Sequence, residues 1–545
     1  MKIKTLSFIA ASALLALATS CSNEDIAQTT GNGGDKTTGN KENANLTTFV
    51  SGVGTRTSMD PDGPFFWEKN DRIYVKDDGG EFKQSTNAVT ESKQAAFKFM
   101  MPGVYKASDK YMVYYPGEDG INDQVTIDNG QHQKLPNNNS HFGTSGDCGM
   151  GYGVKNSNGQ FDFHLDHKAA YLCFEPITNH VLVSTYVSRI EVTSDDDIAG
   201  KYTLDLTTEK LVKASGGAQY KSITLKLGAD ENHFDGFELT KDKSWKAYMV
   251  IYPGTHKLTV KYHVIDTQTK VQGVITKTLK AKEYEKNKYY YIKPTLDVLA
   301  VDNKVYLWDA KEDCWYGYAD EQPALPSDKG TPYPTASDQL RWHSMANTHG
   351  TAATGEQAKN APTKDCPNVN EMLWYIFKGD PRWDFDKLWT TLKHLYKGGA
   401  WILKKQYISG FSSTDFKKEG ESAYDYRNPD GDHQKLFQES WSKNDYIEQA
   451  PPSKQDKNKY FFLPAFEGVC GTNGAGYEIG KIRFGAGYGM GNEGMYWSST
   501  SYCIKKNINK PEASYYGAFQ LGIKARRFGI YRSDRRWGAK CVAFE

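Results

Sequence analysis

A mainly β chain, with two β-sandwiches in series followed by a mixed α+β unit, is predicted by three observations. From Leu46 to Pro294, short runs rich in β-branched and aromatic residues alternate with polar ones at period two, the pattern of strands with one face on a core. Clusters of Gly, Pro, Asn and Asp cut these runs at short intervals, as turns between antiparallel strands require. After Pro294 Trp becomes frequent and helical periodicity enters. Size agrees, since at roughly 150 residues per domain a chain of 545 residues makes three or four domains. The 67 Lys and Arg against 66 Asp and Glu leave a net charge of +1, so no global field draws nucleic acid or an anionic membrane. An aromatic content of 13% is more than a disordered chain carries.

Residues 1–20 open with Lys2 and Lys4, continue as an apolar run from Leu6 to Ala18 and end on small residues before Cys21, which is the layout of a secretory leader. Leu17-Ala18-Thr19-Ser20-Cys21 resembles the lipobox of bacterial lipoproteins, which implies cleavage of the leader and acylation of the Cys21 thiol, palmitate included. Ser22-Asn23-Glu24-Asp25 is similar to the acidic export tag of surface lipoproteins in Bacteroidetes-type bacteria, which implies the outer face of the outer membrane. Residues 21–45 hold too few apolar side chains to offset the entropy of ordering them and read as a flexible tether. No later stretch approaches the roughly 18 apolar residues that span a bilayer, which excludes transporters and channels built from helices.

The first sandwich is expected over residues 46–177 and the second over 178–297. The runs Asp71–Lys76, Lys110–Tyr115, Arg189–Thr193, Ala247–Tyr252, Lys257–Tyr262 and Lys288–Ile292 supply the strands. Thr55-Arg56-Thr57-Ser58, Phe66–Val75, Phe163–Leu172, Ile198–Tyr202 and Tyr289–Ile292 resemble, in this order, the fimbrillin-like lipoproteins of Bacteroidetes. The resemblance implies a pilus subunit with two transthyretin-like β-sandwich domains. It also implies that a trypsin-like protease cuts after an Arg near the start of the fold, that the first strand leaves, and that a strand of another pilus subunit takes its place. A vacated slot with unpaired backbone groups is what β-augmentation completes. Arg56 is the candidate cleavage residue, Thr57 the new N-terminus and Leu46–Val53 the strand to be lost. His167 and Lys168 look catalytic in isolation, but a histidine hydrogen-bonded inside the sandwich is the better reading. Asp195-Asp196-Asp197 reads as a solvated acidic turn and not a metal cluster.

Of the eight cysteines, Cys148 and Cys173 fall in the sandwiches, and Cys314, Cys366, Cys470, Cys503 and Cys541 in residues 298–545. Export favours bridges, yet five thiols cannot all pair internally and the connectivity is not readable from spacing. No C-x-x-C and no zinc-finger spacing occurs. In this unit Asn370 is expected to cap a helix over residues 371–377 that ends at Gly379. Asp384 or Asp386 is expected to cap a second, with Leu388, Trp389, Leu392, Leu395 and Tyr396 on one stripe. Tyr460–Ala465, Met495–Thr500, Ser514–Phe519 and Gly538–Val542, with Cys366-Pro367 ahead of the first helix, resemble the C-type-lectin-like terminal domain of the bacterial major paralogous domain family. Between Lys404 and Lys459 the chain departs from that pattern. The resemblance implies an adhesive domain, a Cys366–Cys541 bridge, and Cys470 with Cys503 as a second pair.

Other motifs are weaker. Gly489, Gly491 and Gly494 fit G-x-G-x-x-G but lead into a strand, so no dinucleotide site is expected. Asn428, Asp430, Asp432 and Glu439 mimic part of a calcium loop with the glycine misplaced, so no cofactor is expected, calcium being the one candidate raised. Asn428-Pro429-Asp430 and Trp441–Asp445 loosely resemble sugar-binding triplets in the wrong context. Lys524, Arg526, Arg527, Arg532, Arg535, Arg536 and Lys540, interleaved with Phe528, Tyr531 and Trp537, have the chemistry to hold an acidic glycan, though arginines pairing local acids on a solvated strand is the preferred reading.

No H-E-x-x-H, G-x-S-x-G or P-loop occurs, and no enzyme is expected. The expectation is a fimbrial tip adhesin. It would pass through an outer-membrane lipoprotein precursor to the cell surface, join other subunits by strand exchange, and bind a glycan or protein ligand through its C-terminal domain. The alternative is an anchored glycan-binding lipoprotein that never polymerises.

Overall fold

In the computed structural model, residues 46–52, 58–59, 65–229, 236–322, 332–344, 357–427, 442–444, 447–470, 483–484, 489–503 and 516–545 are described. The first sheet has eight strands. Its path runs Phe82–Gln84, Tyr74–Lys76, Lys110–Tyr115, Gly149–Lys155, Phe161–Phe163, Leu46–Ser51, Lys98–Pro102, with Leu165–His167 also on Gly149–Lys155. Alternation decides which side chains meet. On Lys110–Tyr115, Tyr111, Val113 and Tyr115 enter a core with Phe49, Trp67, Phe99, Phe161 and Phe163, whereas Tyr114 points the other way into the next core.

That next core is enclosed by three sheets. Gln272–Thr278, Leu258–Asp266, Thr185–Ser194, Ser222–Leu227 and Gly130–Gln133 lie side by side, with Phe237–Glu238 on Thr185–Ser194. Ala247–Ile251, Ala170–Phe174 and Tyr289–Ile292 form the second sheet, and Lys210–Lys213, Ala199–Asp205, Gln219–Tyr220 and Gln124–Ile127 the third. The sheets therefore do not part at residue 177. Gln124–Ile127, Gly130–Gln133 and Ala170–Phe174 pair with strands from beyond it. Alternation marks a strand without naming its neighbour, so the boundary had no signature in sequence.

Beyond Pro294, Leu299–Ala300 runs parallel to Arg382–Thr391, which continues antiparallel through His394–Leu403 to Tyr460–Pro464. A second sheet orders Ser442–Asn444, Arg527–Asp534, Tyr516–Lys524 and Glu493–Cys503. Among the described residues there is one α-helix, Val369–Lys378, closed at Gly379 as expected. Its cap is Asn368, not Asn370. Asn368 accepts from the Glu371 N–H at 3.1 Å while the Glu371 carboxylate accepts from the Asn368 N–H at 2.8 Å. Asn370 is buried two residues on, in the first turn, donating to Asp425 and accepting from the Tyr426 N–H.

The second expected helix, capped at Asp384 or Asp386 and ending at Gly398-Gly399, is instead a β-hairpin. Leu392 and Lys393 both take positive φ, 52° and 66°, which makes the two-residue turn between Thr391 and His394. Leu388 and Leu395 from this hairpin join the second sandwich's core. No helix among the described residues is long and apolar enough to cross a membrane.

Candidate functional site

The strand expected to leave is not an edge strand. Leu46–Ser51 runs antiparallel to Lys98–Pro102, from Leu46 opposite Pro102 to Val50 opposite Lys98. On its other side it is parallel to Phe161–Phe163, from Phe49 opposite Phe161 to Ser51 opposite Phe163. Its departure would leave two rows of unpaired backbone groups facing each other across one strand's width.

Two inward side chains fix its register. Phe49 is fully buried, stacked on Phe161 with centroids 4.8 Å apart and edge-on to Tyr105 at 5.3 Å. The space for its ring is made by Gly153, where a Cβ would fall 2.7 Å from the ring. Burying such a ring is worth about 2–3 kcal/mol. Ser51 is the polar counterpart. Its Oγ accepts from the Trp67 indole N–H at 2.8 Å and from the Phe97 N–H at 2.8 Å, and its own N–H donates to the Phe97 carbonyl at 3.1 Å. Trp67 is itself buried, edge-on to Phe99 and Tyr115. Leu46–Ser51 thus holds the sheet by backbone ladders, one ring and one hydroxyl, and carries no charge.

Arg56, Thr57 and Cys21 lie outside the described residues, as do Asn428, Asp430, Asp432, Glu439 and the side chains of Cys470 and Cys503. Among the described residues no group of His, Cys, Asp and Glu is placed to hold a metal. Cys366 and Cys541 are neighbouring free thiols: Cys366 Sγ donates to the Pro362 carbonyl at 3.6 Å and Cys541 Sγ lies 3.4 Å from Thr363 Oγ1, and the nearby Cys541 thiol together with burial pushes the Cys366 thiol well up from its ordinary value. Gly489 and Gly491 lead into the strand Glu493–Cys503, with no helix to receive a phosphate. His167 is buried with Nδ1 3.0 Å from Asp147 Oδ1, to which Tyr171 also donates, the structural role expected of it. Asp195 and Asp197 accept from the Lys257 N–H and from Lys213.

The basic stretch is dispersed by the fold. Arg535 is buried over the Trp308 ring at 4.3 Å and donates to the Gly517 and Ser344 carbonyls. Lys540 is buried against the Asp302 carboxylate and the Asp302 and Lys304 carbonyls, and burial pushes its amine down from the usual value. Arg536 is paired with Asp534 and Lys524 with Glu493. Two members of the stretch are thus interior struts and two are paired with local acids.

Sequence reasoning missed the joint at the hairpin turn. His394 Nδ1 lies 3.0 Å from Asp266 Oδ2 and 3.3 Å from Ser184 Oγ, and the Leu395 N–H donates to the same carboxylate. Both partners meet one ring nitrogen, so the imidazole cannot relay a proton from serine to aspartate and the trio is no catalytic triad. Burial alone would raise the Asp266 carboxyl, but the hydrogen bonds from His394, Thr269 and Leu395 hold it below its usual value.

No protein-family model matches the chain, and no curated protein matches it. Sixteen chains of solved structures do. A protein assigned to cell adhesion from Bacteroides ovatus is 12% identical, over 46% of this chain and 91% of that one, with a TM-score of 0.28. The fimbrial anchor protein Mfa2 from Porphyromonas gingivalis is 12% identical over 43% and 82%, with a TM-score of 0.23. A fimbrial protein from Bacteroides ovatus is 11% identical over 53% and 59%, with a TM-score of 0.22. Likenesses of this size are too slight to carry the fold or the function.

Proposed function

We propose that this chain is a subunit of a surface fimbrium, assembled by exchange of its first strand, with residues 298–545 as the adhesive end at the fibre tip. The observation that carries the reading is the setting of Leu46–Ser51. It is hydrogen-bonded on both sides, uncharged, keyed by Phe49 and Ser51, and followed within a few residues by Arg56. Cleavage after Arg56 would leave that strand held by non-covalent contacts alone. A donated strand presenting an aromatic and a small hydroxyl at the same alternate positions would restore the backbone ladders, the ring packing and the hydroxyl's hydrogen bonds. The lipid on Cys21, the C-type-lectin-like character of the last unit and oxidation of the Cys366 and Cys541 thiols to a bridge belong to the same proposal.

The test is the N-terminal sequence and intact mass of the protein in the sheared surface fraction of the native cells. A start at Thr57 in high-mass assemblies supports the proposal. A chain that still begins at acylated Cys21 and stays wholly in the membrane sinks it and favours the anchored, non-polymerising lipoprotein.

A further inference from the structure

A second feature stands apart from the strand slot. Where Gln272–Thr278 ends and the chain turns through Lys282–Tyr284 to Tyr289–Ile292, a cleft of about 620 Å³ opens on the second sandwich. Its wall carries Lys277, Lys280, Lys282 and Lys293 and no carboxylate. Lys293 is paired with Glu175 at 2.6 Å. Lys277, Lys280 and Lys282 make no ion pair among the described residues, which concentrates three positive charges on a chain whose net charge is +1.

The rings in the cleft are pre-set. Tyr284 is buried and packs edge-on to Tyr290 at 4.7 Å. The Tyr290 hydroxyl accepts from the Glu285 N–H at 2.6 Å, and Lys282 Nζ lies 4.6 Å over the Tyr290 ring. Tyr291 is 48% exposed, with Lys246 Nζ 5.6 Å over its ring, so part of its side chain faces solvent at the cleft mouth. Concave sites of about 300–1,000 Å³ that combine aromatic walls with a few fixed polar groups are the usual shape of small-ligand sites. We propose that this cleft binds an anionic saccharide, with Lys277, Lys280 and Lys282 meeting its sulfates or carboxylates and Tyr291 stacking on the apolar face of a sugar ring. Lysine ammoniums are point charges that accept an anion from many directions, which suits a chain of repeating anionic sugars. A planar bilayer cannot follow a cleft whose floor is the buried Tyr284.

Calorimetric titration of the full chain tests this with a heparin-derived hexasaccharide, a hexagalacturonate, neutral maltohexaose, a poly-glutamate peptide and phosphatidylglycerol vesicles. The expected result is binding of one or both anionic oligosaccharides, weakened by salt, and none of maltohexaose. The sulfated and uronate arms separate the two sources of charge. Replacing Lys277, Lys280 and Lys282 together by Ala should weaken binding roughly tenfold or more. Tyr291→Ala should weaken it several-fold, with unchanged circular dichroism in both variants. No binding of either anionic oligosaccharide, equal binding by the triple variant, or binding confined to poly-glutamate or vesicles would overturn the proposal. Because the cleft involves neither Leu46–Ser51 nor Arg56, the result is independent of whether strands are exchanged.

Discussion

Leu46–Ser51 and the hairpin Arg382–Leu403 are both bound to strands far away in the chain, but by different forces. The first is held by main-chain ladders, the Phe49 ring and the Ser51 hydroxyl, with no charge in the segment. The second drives Leu388 and Leu395 into a foreign core and seats His394 on the buried Asp266 carboxylate. Main-chain ladders can be remade by any strand of suitable length, whereas a buried hydrogen-bonded joint is specific to its partner and costly to leave half made. Under the proposed strand exchange, the contrast separates the element to be replaced from one that stays. A subunit that changes partners at one end while carrying load into a C-terminal unit needs one of each.

The largest effect is expected where the permanent joint is broken. Asp266→Ala leaves His394, Thr185 and the Leu395 N–H without their acceptor and should cost about 3–5 kcal/mol in urea unfolding. Asp266→Asn should cost less, because it keeps the shape and one acceptor. The pH dependence has a definite sign. A carboxyl held below its unfolded value contributes stability at neutral pH and loses it as the pH falls below about 4 through the folded value. A loss smaller than that of Phe49→Ala would break the comparison.

Phe49→Ala removes the ring and leaves the space above Gly153 empty, a change of about 3–4 kcal/mol. The effect should be local. Amide exchange should quicken along Lys98–Pro102 and Phe161–Phe163 and stay slow along Arg382–Leu403. Equal acceleration in both regions would mean that the first strand supports the whole molecule and is not separable.

How much of this was legible in sequence depends on whether a residue's role is local. Phe49 and Ser51 sit at alternate positions of a short β-branched run, so their inward facing follows from period two. Gly153 and Trp67 matter because of strands that pair across large separations, and nothing local marks those pairings. The hairpin was misread because Leu388, Trp389, Leu392, Leu395 and Tyr396 satisfy a helical stripe, while its turn is Leu392-Lys393 and not Asn-Gly. A turn forced on such residues is a tertiary decision, made by the cores that Leu388 and Leu395 enter. Asn368 and Asn370 are equally good caps by type, and the Glu371 that completes the box selects the first. Arg535 and Lys540 looked like surface charge because composition does not report burial.

A smaller effect separates the regions by acid. His141 is half-buried, its Nε2 3.1 Å from the Tyr248 carbonyl, and loss of solvation pushes its pKa down to about 4. As the pH falls below about 6.5 the unfolded chain takes up a proton that the folded one refuses until about 4, so stability falls with pH by up to about 3 kcal/mol across that window. Leu46–Ser51 has no titratable side chain, so its own amide exchange should follow the second sandwich only if the two unfold together. His141→Gln should flatten the slope in thermal unfolding between those pH values.

The smallest and sharpest test is steric. At Gly153 a Cβ would stand 2.7 Å from the Phe49 ring, closer than side chains approach, so Gly153→Ala must move the ring or the strand that carries it. Overpacking of this kind costs about 1–3 kcal/mol. If the slot is shaped for one ring, Phe49→Leu should cost less in the Gly153→Ala background than alone, because the shorter side chain vacates the place the methyl needs. That coupling is read from a double-mutant cycle in urea. Additive costs would mean that the sheet absorbs the methyl by shifting its backbone, and the slot would then place no restriction on the side chain of an incoming strand. A coupling of about 1 kcal/mol or more would make residue 153 the gauge by which the sheet selects what fills it.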